Sequence, residues 1–191
     1  TETREAERMS RSEDEWIVQH DGQQDLISHS LSAGAHKLDC LIGRSGIISA
    51  AEKREGDGFS PAGRWQLRAL FYRDDKIQPP STGACDIPAR PITALMGWCD
   101  APASARYNQL VDLPFAESHE VMMRDDGLYD IVVALGHNDA PPIAGFGSAI
   151  FLHCREADTR STQGCVALFR DELCWLLAKA TASQHLTIVP S

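Results

Sequence analysis

Between Arg64 and Tyr72 the chain alternates, with Trp65, Leu67, Ala69 and Phe71 set against Arg64, Gln66 and Arg68. That period of two is the mark of a strand with one buried face. Ile131 to Leu135 is a continuous apolar run of strand length and reads as a strand buried on both faces. Ser148 to Leu152 is a second such run, with His153 at its end. Trp16 to Val18, Ala35 to Ile42, and the pair Leu186 and Ile188 add shorter strand candidates. One segment switches period: Leu173, Leu176, Leu177 and Ala180 fall at helical spacing, with Asp171 and Glu172 at the start and Lys179 near the end, as the helix dipole favours. The predicted architecture is therefore mainly β with few helices (α+β), a mixed sandwich or barrel with one helix late in the chain.

Turn-forming residues separate these elements. GRSGIISAAEKREGDGFSPAG, from Gly43 to Gly63, is dense in Gly, Ser, Asp and Pro. Residues 76–108 carry Pro79, Pro80, Pro88, Pro91 and Pro102 with no sustained period, and read as one long structured loop, a kind that is usually functional. Residues 1–14 alternate charges without an apolar period and are expected to form a flexible arm, leaving 15–191 as a single domain.

Composition narrows the function. A net charge of −9 argues against nucleic acid as a partner, because neutralising phosphates needs clustered Lys and Arg. No apolar run reaches the roughly 20 residues of a transmembrane helix; Pro141 to Leu152 is interrupted by Gly145 and Gly147. The polar opening TETREAERMS is no leader peptide, so the chain is expected either to be cytoplasmic or to be numbered after a removed segment, and the start at Thr1 favours the second. The six cysteines form no CxxC pair. Cys85 and Cys99, flanking the Pro-rich loop, are a candidate disulfide. No metal and no cofactor is implied, since His153, Cys154, Cys165 and Cys174 match no usual zinc spacing.

The stretch that carries chemistry is SAIFLHCREADTRSTQGCVALFRDEL. It brings a histidine on a strand, a polar loop, and then Ser161, Thr162, Gln163, Gly164 and Cys165 leading into the helix. A free thiol ionises near pH 8.5, so thiol catalysis needs a base beside it. Cys165 is the candidate nucleophile, His153 the base, and Gly164 the residue that permits a tight turn and close substrate approach. The amides of Gly164 and Cys165 are candidate oxyanion donors. Thr162, Ser161 and Gln163, with Tyr129, His137, Arg106 and Tyr107 from elsewhere, are candidate substrate-binding residues. The reading requires an imidazole and a sulfur within hydrogen-bonding reach, in a groove open to solvent.

This pattern resembles the L,D-transpeptidase catalytic domain, the YkuD domain, whose signature is His, a spacer, Ser or Thr, a variable residue, Gly and Cys. Here those are His153, Thr162, Gly164 and Cys165, while GDGFSPAG (Gly56 to Gly63) is similar to the family's Thr-Pro-x-Gly turn with Ser60 in place of Thr. Two positions depart from the pattern: Gln163 stands where most members have His, and Ala167 where they have Arg or Asn. The resemblance implies a YkuD-like β-sandwich or barrel acting on peptidoglycan stem peptides through a cysteine thioester, resolved by an amine to form a crosslink. It also implies that the second nitrogen of His153 donates to the carbonyl of Cys154, and that the protein is periplasmic. Resolution by water, as in an L,D-carboxypeptidase or endopeptidase, is the alternative on the same fold, and an inactive wall-binding module a third; nothing in the chain separates transfer from hydrolysis.

Overall fold

A computed structural model describes residues 15–21 and 29–190; the arm assigned to residues 1–14 lies outside the described residues. The strands are β1 (Trp16–His20), β2 (His29–Ala33), β3 (His36–Cys40), β4 (Gly46–Ser49), β5 (Phe59–Tyr72), β6 (Ala89–Pro91), β7 (Met96–Cys99), β8 (Leu110–Asp112), β9 (His119–Val121), β10 (Ile131–Leu135), β11 (Phe151–Arg155), β12 (Val166–Phe169) and β13 (His185–Ile188), with one helix, α1 (Arg170–Leu177). The fold is mainly β. The principal sheet runs β12-β11-β10-β5-β13-β1-β2-β3, with β4 and β6 paired to β5, and a small sheet runs β8-β7-β9.

The principal sheet curls almost into a barrel. Just beyond β3, Leu41 exchanges two backbone hydrogen bonds of 2.9 Å with Ala167 of β12. The seam continues as Thr162 donates to Ile42 and Arg44 donates to Thr162, each at 2.9 Å. Closure of this kind removes the exposed strand edges that would otherwise invite pairing with another chain.

β5 departs from simple alternation. Trp65, Leu67 and Leu70 pack with the barrel interior, whereas Ala69 and Phe71 pack with a second core beneath the small sheet. The cause is a bulge: Leu135 pairs with Leu67 but Ala134 pairs with Ala69, so Arg68 is an extra residue and the strand changes face there. The stretch 76–108, read from sequence as one loop, contains β6 and β7. Strands of three and four residues are too short to show a period. β11 begins only at Phe151, because Gly147 and Ala149 have φ of 96° and 52°, outside the β region; His153 therefore sits within the strand and not at its end. Cys85 and Cys99 are not bridged: all six cysteines are free, and Cys85 belongs to the barrel core while Cys99 ends β7.

The helix forms where its period predicts. Its start is closed by the Phe169 amide donating to the Glu172 carboxylate at 3.2 Å, and Leu173, Leu176 and Leu177 are buried. Lys179 lies past the last turn, beyond the Ala178 cap.

The seam makes a stability prediction at Gly43, whose amide donates to Ser60 Oγ at 2.9 Å. A Cβ there would stand 2.2 Å from the Gly58 carbonyl oxygen. We expect Gly43→Ala to cost about 1–3 kcal/mol or more in denaturant titration; an unchanged midpoint would show that the seam tolerates separation.

Candidate active site

Cys165 is positioned by a turn whose polar groups are spent on holding it. Thr162 Oγ1 donates to the Cys165 carbonyl at 2.6 Å and accepts from the Gly164 amide at 3.1 Å. Ser60, fully buried, donates to the Gly164 carbonyl at 2.8 Å and ties the turn to Gly43 on the other side of the seam. Gly164 has φ of 138°, and a Cβ there would meet the Phe59 carbonyl at 2.8 Å, so only glycine fits. Because its amide is engaged by Thr162, Gly164 does not offer the oxyanion donor expected of it.

β11 and β12 run parallel, with Leu152 opposite Val166 and His153 opposite Ala167. Cys165 thus lies just before β12, beside Phe151. Ala167, paired with His153, is fully buried. His153 Nδ1 donates to the Cys154 carbonyl at 2.6 Å, which leaves Nε2 as the basic nitrogen. Tyr129 packs edge-on to the His153 ring, with centroids 5.4 Å apart, and to Phe151 at 6.0 Å.

Two expectations are corrected. The sulfur does not bond the imidazole: Sγ donates to the Ala149 carbonyl at 3.2 Å and accepts from the Phe151 amide at 3.4 Å. Nor is the groove open, since Cys165 is 7% and His153 5% exposed. The second core, which includes Cys165, Phe71, Ile92, Met122 and Phe151 with Met96 and Trp98 against it, covers the site from the small-sheet side. The Trp98 indole stands edge-on to Phe151 at 5.0 Å.

Burial sets the electrostatics. It pushes the Cys165 thiol up to about 12, and the Glu120 carboxylate adds to this, while the Phe151 amide and the Lys53 ammonium oppose it. Burial pulls His153 down to about 4, against the carbonyls of Cys154 and Leu128, which favour its charged form. The resting pair is therefore a neutral thiol and a neutral imidazole.

The remaining candidates divide. Tyr129 donates to Glu120 Oε2 at 2.5 Å and belongs with His153 and Cys165. His137 is buried against Trp65 and bonds the Phe146 carbonyl at 2.9 Å, a bracing contact. The Tyr107 hydroxyl donates to Glu55, which also accepts from Ser148 at 2.8 Å, three residues before the strand of His153 begins. Arg106 turns back on its own loop, bonding Gln109 and the Leu110 carbonyl. Ser161 and Gln163 are exposed. Ser161 lines a different cavity of about 540 Å³ between the β1–β2 end and residues 41–47. Two residues near the site carry no local signal in the sequence: Glu120, in a three-residue strand, and Asn108, in a loop with φ of 55°. Among the described residues no group of three or more His, Cys, Asp or Glu could hold a metal ion.

The chain belongs to the L,D-transpeptidase catalytic domain family: the YkuD family model matches residues 16–188. Two solved structures are similar. One is L,D-transpeptidase 1 of Mycobacterium tuberculosis, at 12% identity and TM-score 0.38, covering 93% of this chain and 62% of that one. The other is an L,D-transpeptidase from Mycobacterium smegmatis, also at 12% and 0.38, covering 92% and 59%. The chain thus spans less than two thirds of the length of either. No curated protein matches it.

Two predictions follow from the buried charges. A histidine whose folded pKa lies below its free value of 6.5 leaves the unfolded chain binding more protons. Stability is full above that value and falls as pH drops towards about 4, by on the order of 3 kcal/mol from His153. Urea titrations from neutral pH to pH 4 should show this slope, and His153→Gln should flatten it; equal slopes would contradict the assignment. Glu120→Gln removes a negative charge that disfavours the thiolate, so the pH midpoint for alkylation of Cys165 should move down. A midpoint that stays or rises would refute the coupling.

Proposed function

We propose that this chain is a peptidoglycan L,D-transpeptidase that crosslinks stem peptides through a thioester on Cys165. The observation that carries the reading is the family match over residues 16–188, joined to the placement of a thiol and an imidazole on adjoining segments of one parallel strand pair. A cell-wall substrate also puts the protein at the periplasmic face. Among the described residues no helix is long and apolar enough to cross a membrane.

In this reading the substrate displaces the cover and frees the sulfur from the Ala149 carbonyl. The Cys165 proton passes to His153 Nε2 as sulfur attacks the stem carbonyl. The carbon–nitrogen bond to the terminal D-residue breaks, and the imidazolium protonates the departing amine. An acceptor amine then attacks the thioester and gives its proton to His153, and the sulfur leaves and recovers its proton. A neutral resting pair suits this sequence, because the charges form only when substrate is present. The Nδ1 bond to Cys154 fixes the tautomer in which Nε2 is the basic nitrogen, so no carboxylate orienter is required. The Cys165 amide is the donor assigned to the oxyanion, since that of Gly164 is occupied.

Incubation with purified muropeptides and mass analysis of the products tests this. Transfer gives new dimers, and Cys165→Ala should abolish them. Shortened monomers without dimers would make the enzyme a hydrolase, and full turnover by the Cys165→Ala variant would remove the mechanism.

A further inference from the structure

Among the described residues, three that are not glycine have positive φ: Asn108 at 55°, Asn138 at 50° and Ala149 at 52°. They lie far apart in sequence, yet one side chain joins them. Asn108 Nδ2 donates to the carbonyls of Asn138 at 2.8 Å and His137 at 3.1 Å, while its Oδ1 accepts from the Ala149 amide and from Trp98 Nε1, both at 3.0 Å. Every hydrogen-bonding capacity of the buried amide is used. Asn138 in turn holds the next loop, donating to Ile143 and Gly147 and accepting from the Ile143 amide.

Strained backbone persists only where its surroundings enforce it, and it gathers at functional sites. At Ala149 the consequence is visible. A left-handed alanine directs its carbonyl to Cys165 Sγ, at 3.2 Å, just before the chain enters β11. We propose that Asn108 is a positioning residue for Cys165: its side chain clamps Ala149 in the left-handed conformation, so that the Ala149 carbonyl holds the thiol in place. The same amide is tied to Trp98 of the covering sheet, so the clamp links the cover to the sulfur. This rests on the reading that Cys165 is the reacting sulfur, but its test does not depend on peptidoglycan chemistry.

The titratable groups that act on this sulfur are Glu120, Lys53 and Tyr129, and none of them bonds Asn108. Without the clamp, Ala149 returns to ordinary backbone angles and the thiol loses the acceptor for its proton. Since that acceptor favours the neutral form, its loss lowers the pH at which the thiol ionises.

The experiment is iodoacetamide labelling of the folded chain across pH, with modification at Cys165 followed by peptide mass analysis. Asn108→Gly removes the side chain while tolerating the positive φ. It should lower the labelling midpoint by about one pH unit, a tenfold change in the thiolate fraction. Adding Ala149→Gly, which fills no space but accepts the left-handed angle, should restore most of the shift. An unchanged midpoint in Asn108→Gly, or no recovery in the double variant, overturns the proposal; a general loosening of the core would not be rescued in this way. Should Asn108→Gly fail to fold, Asn108→Asp decides. It keeps the acceptor for Ala149 and Trp98, so its midpoint should stay at or above that of the parent chain, and a fall would count against the clamp. Failure of the muropeptide assay together with a positive labelling result would reject the transpeptidase reading and leave the clamp standing.

Discussion

The site depends on a short backbone seam. Residues 41–44 close the barrel against residues 162–167, and the turn bearing Cys165 is caught between that closure and the buried Ser60 hydroxyl. The seam fixes the sulfur from below, through the parallel pairing of β12 with β11. The Asn108 network fixes it from above, through Ala149. Neither half holds Cys165 in place alone.

The resulting environment is dry. Enclosure moves the thiol and the imidazole away from the ion pair that a solvated cysteine–histidine site would form, and Glu120 adds to the effect. Both groups therefore rest uncharged. Access is closed on that side: the small sheet carrying Trp98 and Met96 lies over the site, with the Trp98 indole edge-on to Phe71 and Phe151.

Much of this was legible in the chain. The double-sided strand from Ile131 to Leu135 was readable because its five apolar residues leave no other assignment, and the helix because its leucines keep the 3.6 period. The family resemblance rested on His153, Thr162, Gly164 and Cys165, and the match over residues 16–188 supports that family. What was hidden has physical reasons. The face change at Arg68 comes from a bulge set by the partner strand, which local alternation cannot reveal. β2, HSLSA, carries Leu31 as its one large apolar residue, and the strands of the small sheet are too short for periodicity. Glu120 and Asn108 matter through partners distant in sequence; the one available hint was that asparagine tolerates the left-handed region better than most residues. Arg106, singled out for its charge, bonds its own loop, since nothing in composition tells a turn-closing guanidinium from one aimed at a ligand.

The Cys165 sulfur rests as a neutral thiol on a backbone carbonyl and not as a thiolate beside an imidazolium. Ultraviolet thiolate absorbance, taken as the difference between the parent chain and Cys165→Ala and titrated across pH, measures this directly. No difference is expected at neutral pH, with a rise only under strongly alkaline conditions. A difference of one full thiolate at neutral pH would contradict it.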